Sequence, residues 1–156
     1  LWQAFAVLEM QQNNIDVART LFAQSVQRCA GHAQSYQAWA CLEVRMGNLL
    51  EARSLALQGV RRAPGHAALW TVAGVVEERL GDYSRAKGIL DAALKRFPRH
   101  GALYKVHGEM EARQGNYAAA KVVFERGLEE DRHCAPLYHA AALLAAKTGD
   151  LVSLSE

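Results

Sequence analysis

Residues Ala67–His100 read AALWTVAGVVEERLGDYSRAKGILDAALKRFPRH, a 34-residue stretch with two helix-like runs, a Gly-Asp turn between them and a proline near its end. In the first run Leu69, Trp70, Ala73, Val76 and Leu80 recur at helical spacing, and in the second Ala86, Ile89, Leu90, Ala93 and Leu94 do the same. Gly81 stands where a left-handed C-terminal cap is needed, Asp82 can open the next helix, and Pro98 prevents the second run from continuing. The stretch is read as a pair of helices, at 67–80 and 84–97.

Sliding the sequence by 34 residues lines up the same features on either side. The turn column reads Asn13-Asn14, Gly47-Asn48, Gly81-Asp82, Gly115-Asn116 and Gly149-Asp150. Ahead of each turn stand an aromatic (Trp2, Tyr36, Trp70, Tyr104, Tyr138), a small residue (Ala6, Ala40, Gly74, Gly108, Ala142) and a glutamate (Glu9, Glu43, Glu77, Glu111), with Ala145 breaking the last series. Behind it come Ala18, Ala52, Ala86 and Ala120, each followed by a cation: Arg19, Arg53, Lys87, Lys121. Further pairs are expected at 1–12 and 16–29, 33–46 and 50–63, and 101–114 and 118–131, with a last first helix at 135–148.

Helix pairs repeated in this way predict an all-α, right-handed solenoid of antiparallel pairs, with about four to four and a half repeats filling 1–156 as a single array. One pair cannot bury its own apolar face, so stability comes from stacking, with the small residues admitting close approach and the aromatics filling the space between units. The ends are then expected to expose apolar surface. The chain opens at Leu1-Trp2 and its last residues, LVSLSE, fall where a new helix begins, so it reads as a piece of a longer repeat protein.

The composition agrees. Apolar residues make up 51% of the 156 residues and only three are Pro, and strand-like alternation is missing. The net charge of +2 marks no strongly basic nucleic-acid binder, yet leaves room for a local basic stripe. Cys29, Cys41 and Cys134 are odd in number and lack ligand spacing, which predicts reduced, mostly buried thiols. No apolar run approaches a membrane span.

The spacing of Trp70, Gly74, Ala86, Ala93 and Pro98 resembles the tetratricopeptide family. Where that family usually has a further aromatic, this chain has Glu9, Glu43, Glu77 and Glu111. With YQAWACLEVRMGNLLEARSLALQGV and YKVHGEMEARQGNYAAAKVVFERGL, the pattern resembles the half-a-tetratricopeptide (HAT) class, and LEVRMGN and MEARQGN look most similar to its plastid members. That resemblance implies RNA metabolism: a segment that binds single-stranded RNA and stabilises or processes a transcript, an organellar mRNA 5′ region, in the chloroplast or alternatively the nucleus. Its alternative is a protein scaffold of an RNA-processing complex, self-associating through exposed repeat ends.

The residues offer a site for either. The position two before each turn column reads Gln11, Arg45, Arg79, Arg113 and Lys147. With packed helices about 8–10 Å apart, Arg45, Arg79, Arg113 and Lys147 would form a ladder for phosphates. The competing account is that cations suit helix C-termini. Eight residues earlier, Gln3, Gln37, Thr71, Lys105 and His139 would contact base edges. Glu78 and Glu109 weaken the field. Trp2, Trp39 and Trp70 would stack bases only by leaving core columns. Arg28, Arg61, Arg62, Lys95 and Arg96 read as a solvated edge.

Catalysis and metal binding are not expected. A Glu repeated once per unit, paired with the Arg/Lys column (Glu43 with Arg53, for example), is a scaffold residue, whereas an enzyme needs one asymmetric constellation. His32, His66 and His100 also recur once per unit, too far apart for one ion and better suited to loop packing. No cofactor is implied. A tetratricopeptide adaptor gripping peptide carboxylates would need groove asparagines, but Asn13, Asn14, Asn48 and Asn116 all lie in turns.

Overall fold

The computed structural model describes residues 2–149, with the side chain of Trp2 also left undescribed. The expectations placed on that side chain, on Asp150 and on LVSLSE lie outside the described residues. The helices are α1 Trp2–Gln11, α2 Ile15–Arg28, α3 Ala33–Arg45, α4 Leu49–Arg62, α5 Ala67–Arg79, α6 Tyr83–Arg96, α7 Gly101–Arg113, α8 Tyr117–Glu130 and α9 Ala135–Thr148. The fold is all-α, with helices in antiparallel pairs of the tetratricopeptide-like solenoid class, about four repeats in all.

Each second helix starts one residue earlier than periodicity predicts, and three residues separate it from the first helix of its pair. At Gly47-Asn48, the glycine N–H donates to the Val44 carbonyl at 3.1 Å and the Asn48 N–H to the Glu43 carbonyl at 2.9 Å. This is a Schellman closure, and it needs the left-handed φ of 81° that Gly47 adopts. The Asn48 carbonyl then accepts from Ala52 at 3.0 Å, so Asn48 ends one helix and starts the next. At the first turn Asn13 takes φ of 64° in place of a glycine.

Packing divides the chain into two compact units, Leu1–Ala86 and Lys87–Glu156. In unit 1 one buried cluster joins Ala6, Ala18, Phe22 and Leu42, with Trp39 stacked on Phe22 at a centroid distance of 6.4 Å. In unit 2 the core comprises Tyr104, Ala120, Phe124, Leu137, Ala140, Ala141 and Leu144. Each fully buried Leu or Phe contributes about 1.5–3 kcal/mol. Gly108, in the small-residue column, lies where a Cβ would run into the ring of Phe124, so that column does set helix spacing.

The aromatic and small columns are buried at Tyr36, Tyr104, Ala6, Ala40, Gly74 and Gly108, but Tyr138 and Ala142 on α9 are exposed. Trp70 and Tyr104 keep their polar tips bonded to the loop: Trp70 Nε1 donates to the Pro64 carbonyl at 3.0 Å and the Tyr104 hydroxyl to that of Pro98 at 2.7 Å. The expectation of mostly buried thiols is corrected. All three cysteines are free, but Cys29, at the end of α2, and Cys41, on the open face of α3, are exposed. None of the described helices is long and apolar enough to cross a membrane.

Candidate functional site

The glutamate column is the best-defined polar feature, and its partners differ from the pairing expected of Glu43 with Arg53. Glu43 is taken by the cation of the preceding repeat: Arg19 donates from Nε to Oε1 at 2.7 Å and from Nη2 to Oε2 at 3.2 Å. Arg53 reaches forward in the same way to Glu77, at 2.7 Å. Lys87 stands 3.9 Å from Glu111. The offset arises because a first helix packs against the second helix of the unit before it.

The turn asparagine supplies a second bond that sequence reading missed. Asn14 donates to Glu9 at 2.6 Å, Asn48 to Glu43 at 2.7 Å and Asn116 to Glu111 at 3.0 Å. Asp82 cannot donate, and the Oε2 atom of Glu77 is buried without a hydrogen bond. The signal was in the columns, which pair Glu with Asn in three units and with Asp in one. Burial pushes the Glu43 carboxyl upward, but the bonds from Arg19 and Asn48 and the Arg19 charge outweigh it and hold the group below its usual range. The column ties neighbouring helices together and makes no reactive constellation.

The cation ladder lies at helix ends. Arg45, Arg79 and Arg113 close α3, α5 and α7, and Lys147 lies in the last turn of α9. All four are exposed. In unit 1, α3 packs beside α5, so Arg45 and Arg79 end neighbouring helices. In unit 2, α7 packs beside α9, and Arg113 and Lys147 border a depression of about 200 Å³. Its apolar lining includes Ala112, Ala140, Leu143 and Leu144, and Glu109 lines it too. Leu143 is 60% exposed and was not singled out in the sequence; its signal was an apolar residue on the open face of a first helix.

Most of the column proposed to contact bases is occupied by bonds within the chain. Gln37 accepts from His66 at 3.0 Å, Thr71 donates to the Ala67 carbonyl at 3.3 Å, and Lys105 pairs with Glu109 at 3.2 Å. Gln3 is half-buried on α1 and His139 is exposed on α9. The recurring histidines act in the loops. His32, His66 and His100 stand at the N-termini of α3, α5 and α7, with His32 Nδ1 2.6 Å from the Ser35 hydroxyl. Among the described residues no group of three or more His, Cys, Asp or Glu is placed to hold a metal ion. The basic edge residues Arg28, Arg61, Arg62, Lys95 and Arg96 are exposed. Unit 2 has a second depression of about 380 Å³ between α8 and α9, lined by Tyr117, Lys121, Phe124, Leu128 and Leu144 among others.

The chain is similar to several solved structures at identities that speak to the fold alone. A thermophilic TPR protein from Thermus thermophilus is 20% identical over 98% of this chain and 84% of that one, with a TM-score of 0.75. MamA protein is 12% identical over 99% and 84%, with a TM-score of 0.70. YrrB, described as a TPR protein with an unusual peptide-binding site, is 18% identical over 98% and 79%, with a TM-score of 0.63. No curated protein matches the chain. The HAT and plastid resemblance finds no support among these matches, and the glutamates that suggested it are explained by their bonds to Arg and Asn. The tetratricopeptide repeat model matches residues 37–98 and 71–133, more than half of the sequence, and the chain belongs to that family.

Proposed function

We propose that this chain is a non-catalytic scaffold segment that holds another protein by an extended stretch on its first-helix faces. The observation that carries this reading is the depression between α7 and α9. It places exposed Leu143 and an apolar floor between the cations Arg113 and Lys147. Apolar contact there would supply affinity, and the cations would select a carboxylate-bearing partner. Such faces serve peptide recognition where anchors recur at fixed spacing. The tetratricopeptide membership and the peptide-binding site named for YrrB support this reading over RNA binding.

The test is selection of binders from a random peptide library, followed by titration of the selected peptides against Leu143→Glu. Loss of about tenfold or more in affinity is expected, since the change puts a carboxylate where an apolar anchor would sit. Equal binding to the variant would remove the α7–α9 face from the proposal.

A second reading keeps single-stranded RNA as the partner, because Arg45, Arg79, Arg113 and Lys147 are exposed and end neighbouring helices within each unit. The chloroplast placement, or the nuclear alternative, belongs to that reading. Titration of a labelled single-stranded RNA at several salt concentrations tests it. Phosphate contacts predict a log–log slope of about −0.7 for each one, flattened when Arg45, Arg79 and Arg113 become Ala. An unchanged slope in the triple variant excludes the ladder.

A further inference from the structure

His107 departs from its column. Its equivalents in the other repeats are Phe5, Trp39, Ala73 and Ala141, all apolar. It lies in α7 at 5% exposure, and neither ring nitrogen has a hydrogen-bond partner. Its Nδ1 is 3.8 Å from Asp91 Oδ1 on α6, and its Nε2 is 3.5 Å from Glu111 Oε1 one turn along α7. Lys87, also on α6, is 3.9 Å from the same Glu111 oxygen. The buried residues that α8 and α9 contribute to this core, Ala120, Phe124, Leu137, Ala140, Ala141 and Leu144, carry no charge.

A neutral imidazole fits this place as an apolar ring, at the cost of one unbonded N–H. A protonated one has two N–H groups, each facing a carboxylate just beyond bonding reach. Glu111 accepts from Asn116 through its other oxygen, Oε2, so the ring and the turn asparagine share one carboxylate.

We propose that His107 is an acid-sensitive latch in unit 2, keeping α6 and α7 packed while its ring is neutral and loosening them when it takes up a proton. Burial pushes the imidazole below its ordinary range, and the pull of Asp91 and Glu111 does not restore it. The unfolded chain therefore binds the proton more readily than the folded one. Stability is full above the ordinary histidine value, about 6.5, and falls as pH drops through it toward the folded value. The latch operates whatever the first-helix faces bind.

The experiment is thermal unfolding of the full chain, followed by circular dichroism from about pH 7.5 to about pH 5.5, for the native protein and for His107→Ala. Alanine is chosen because Ala73 and Ala141 already occupy the column. The native midpoint is expected to fall by several degrees more than that of the variant, while Asp91→Asn, which removes a favourable charge, steepens the native fall. Equal falls in native protein and His107→Ala overturn the proposal. Should His107→Ala fail to fold, the imidazole resonances of the native chain decide. His107 must titrate below the ordinary histidine value, about 6.5, and titration at or above it overturns the latch.

Discussion

Glu43 in unit 1 and Glu111 in unit 2 hold the same repeat position and are bound differently. Arg19 grips both oxygens of Glu43, at 2.7 and 3.2 Å, and Asn48 adds a third bond at 2.7 Å. Glu111 keeps its asparagine, but Lys87 is 3.9 Å away and the titratable ring of His107 stands close by. A guanidinium presents a planar fork matched to a carboxylate, whereas an ammonium is a point charge on a flexible stem. The repeat therefore preserves a bonded glutamate without preserving its cation, a forked arginine in unit 1 and a more distant lysine in unit 2.

The largest effect expected from breaking this contrast is at Arg19. Arg19→Ala leaves a carboxylate of 3% side-chain exposure with Asn48 as its neutral donor. A loss of about 1–3 kcal/mol is expected in urea unfolding, the usual cost of leaving a buried acceptor short of its partner, since the Arg19 end of the pair is itself a third exposed. Glu43→Gln removes the charge and should flatten the acid limb of stability. The Glu43 carboxyl titrates below its usual range when folded, so its stabilisation is present above the ordinary value, about 4.3, and is lost as pH falls through the folded one. An acid limb of unchanged steepness in Glu43→Gln would show that the pair contributes little.

Next in size is Gly108→Ala in unit 2. A Cβ there would run into the ring of Phe124. Unit 1 carries Ala6 and Phe22 at the same register, both buried, so an alanine–phenylalanine pair is compatible with the repeat. The cost measures how far Phe124 is committed to its glycine, and about 1–2 kcal/mol is expected from overpacking. A neutral result in thermal unfolding would mean that unit 2 repacks as freely as unit 1 permits.

The fold was legible because its determinants are local and repeated. Gly47, Gly81 and Gly115 mark left-handed caps by identity alone, and the small and aromatic columns point to packed faces by periodicity. The glutamate partners were harder to read. Glu43 takes its cation from 24 residues back, and only the docking of one repeat on the previous one selects Arg19 over Arg53. The asparagine bond was visible as a column but concealed by the role of Asn48 in the turn. At the α7–α9 depression the sequence marked Arg113 and Lys147 but not Leu143, because an apolar residue on a helix declares itself exposed only when its neighbours are placed. His107 was passed over because it breaks a column and repeats nowhere.

A smaller effect, of opposite sign, is expected where the turn residue fails the glutamate. Asp82 cannot donate to Glu77, whose Oε2 is buried and unbonded. Asp82→Asn restores the donor seen at Asn48 and removes a like charge. A gain of about 1 kcal/mol in urea unfolding is expected, the usual worth of one hydrogen bond to a buried acceptor. If the gain does not appear, the bond that Asp82 Oδ1 accepts from the Arg85 N–H at 3.0 Å is worth as much as the one to the glutamate.

The smallest effect separates the two units most directly. The Lys87 side chain is half-exposed and 3.9 Å from Glu111, so water screens the pair and the stem remains free to move. Lys87→Ala should cost less than about 1 kcal/mol, the range of exposed ion pairs. The same measurement at Arg19 is expected to give several times as much. Glu111 keeps Asn116 in either case. Equal losses at the two sites would mean that distance and fork geometry do not set the strength of the connection between a glutamate and its cation.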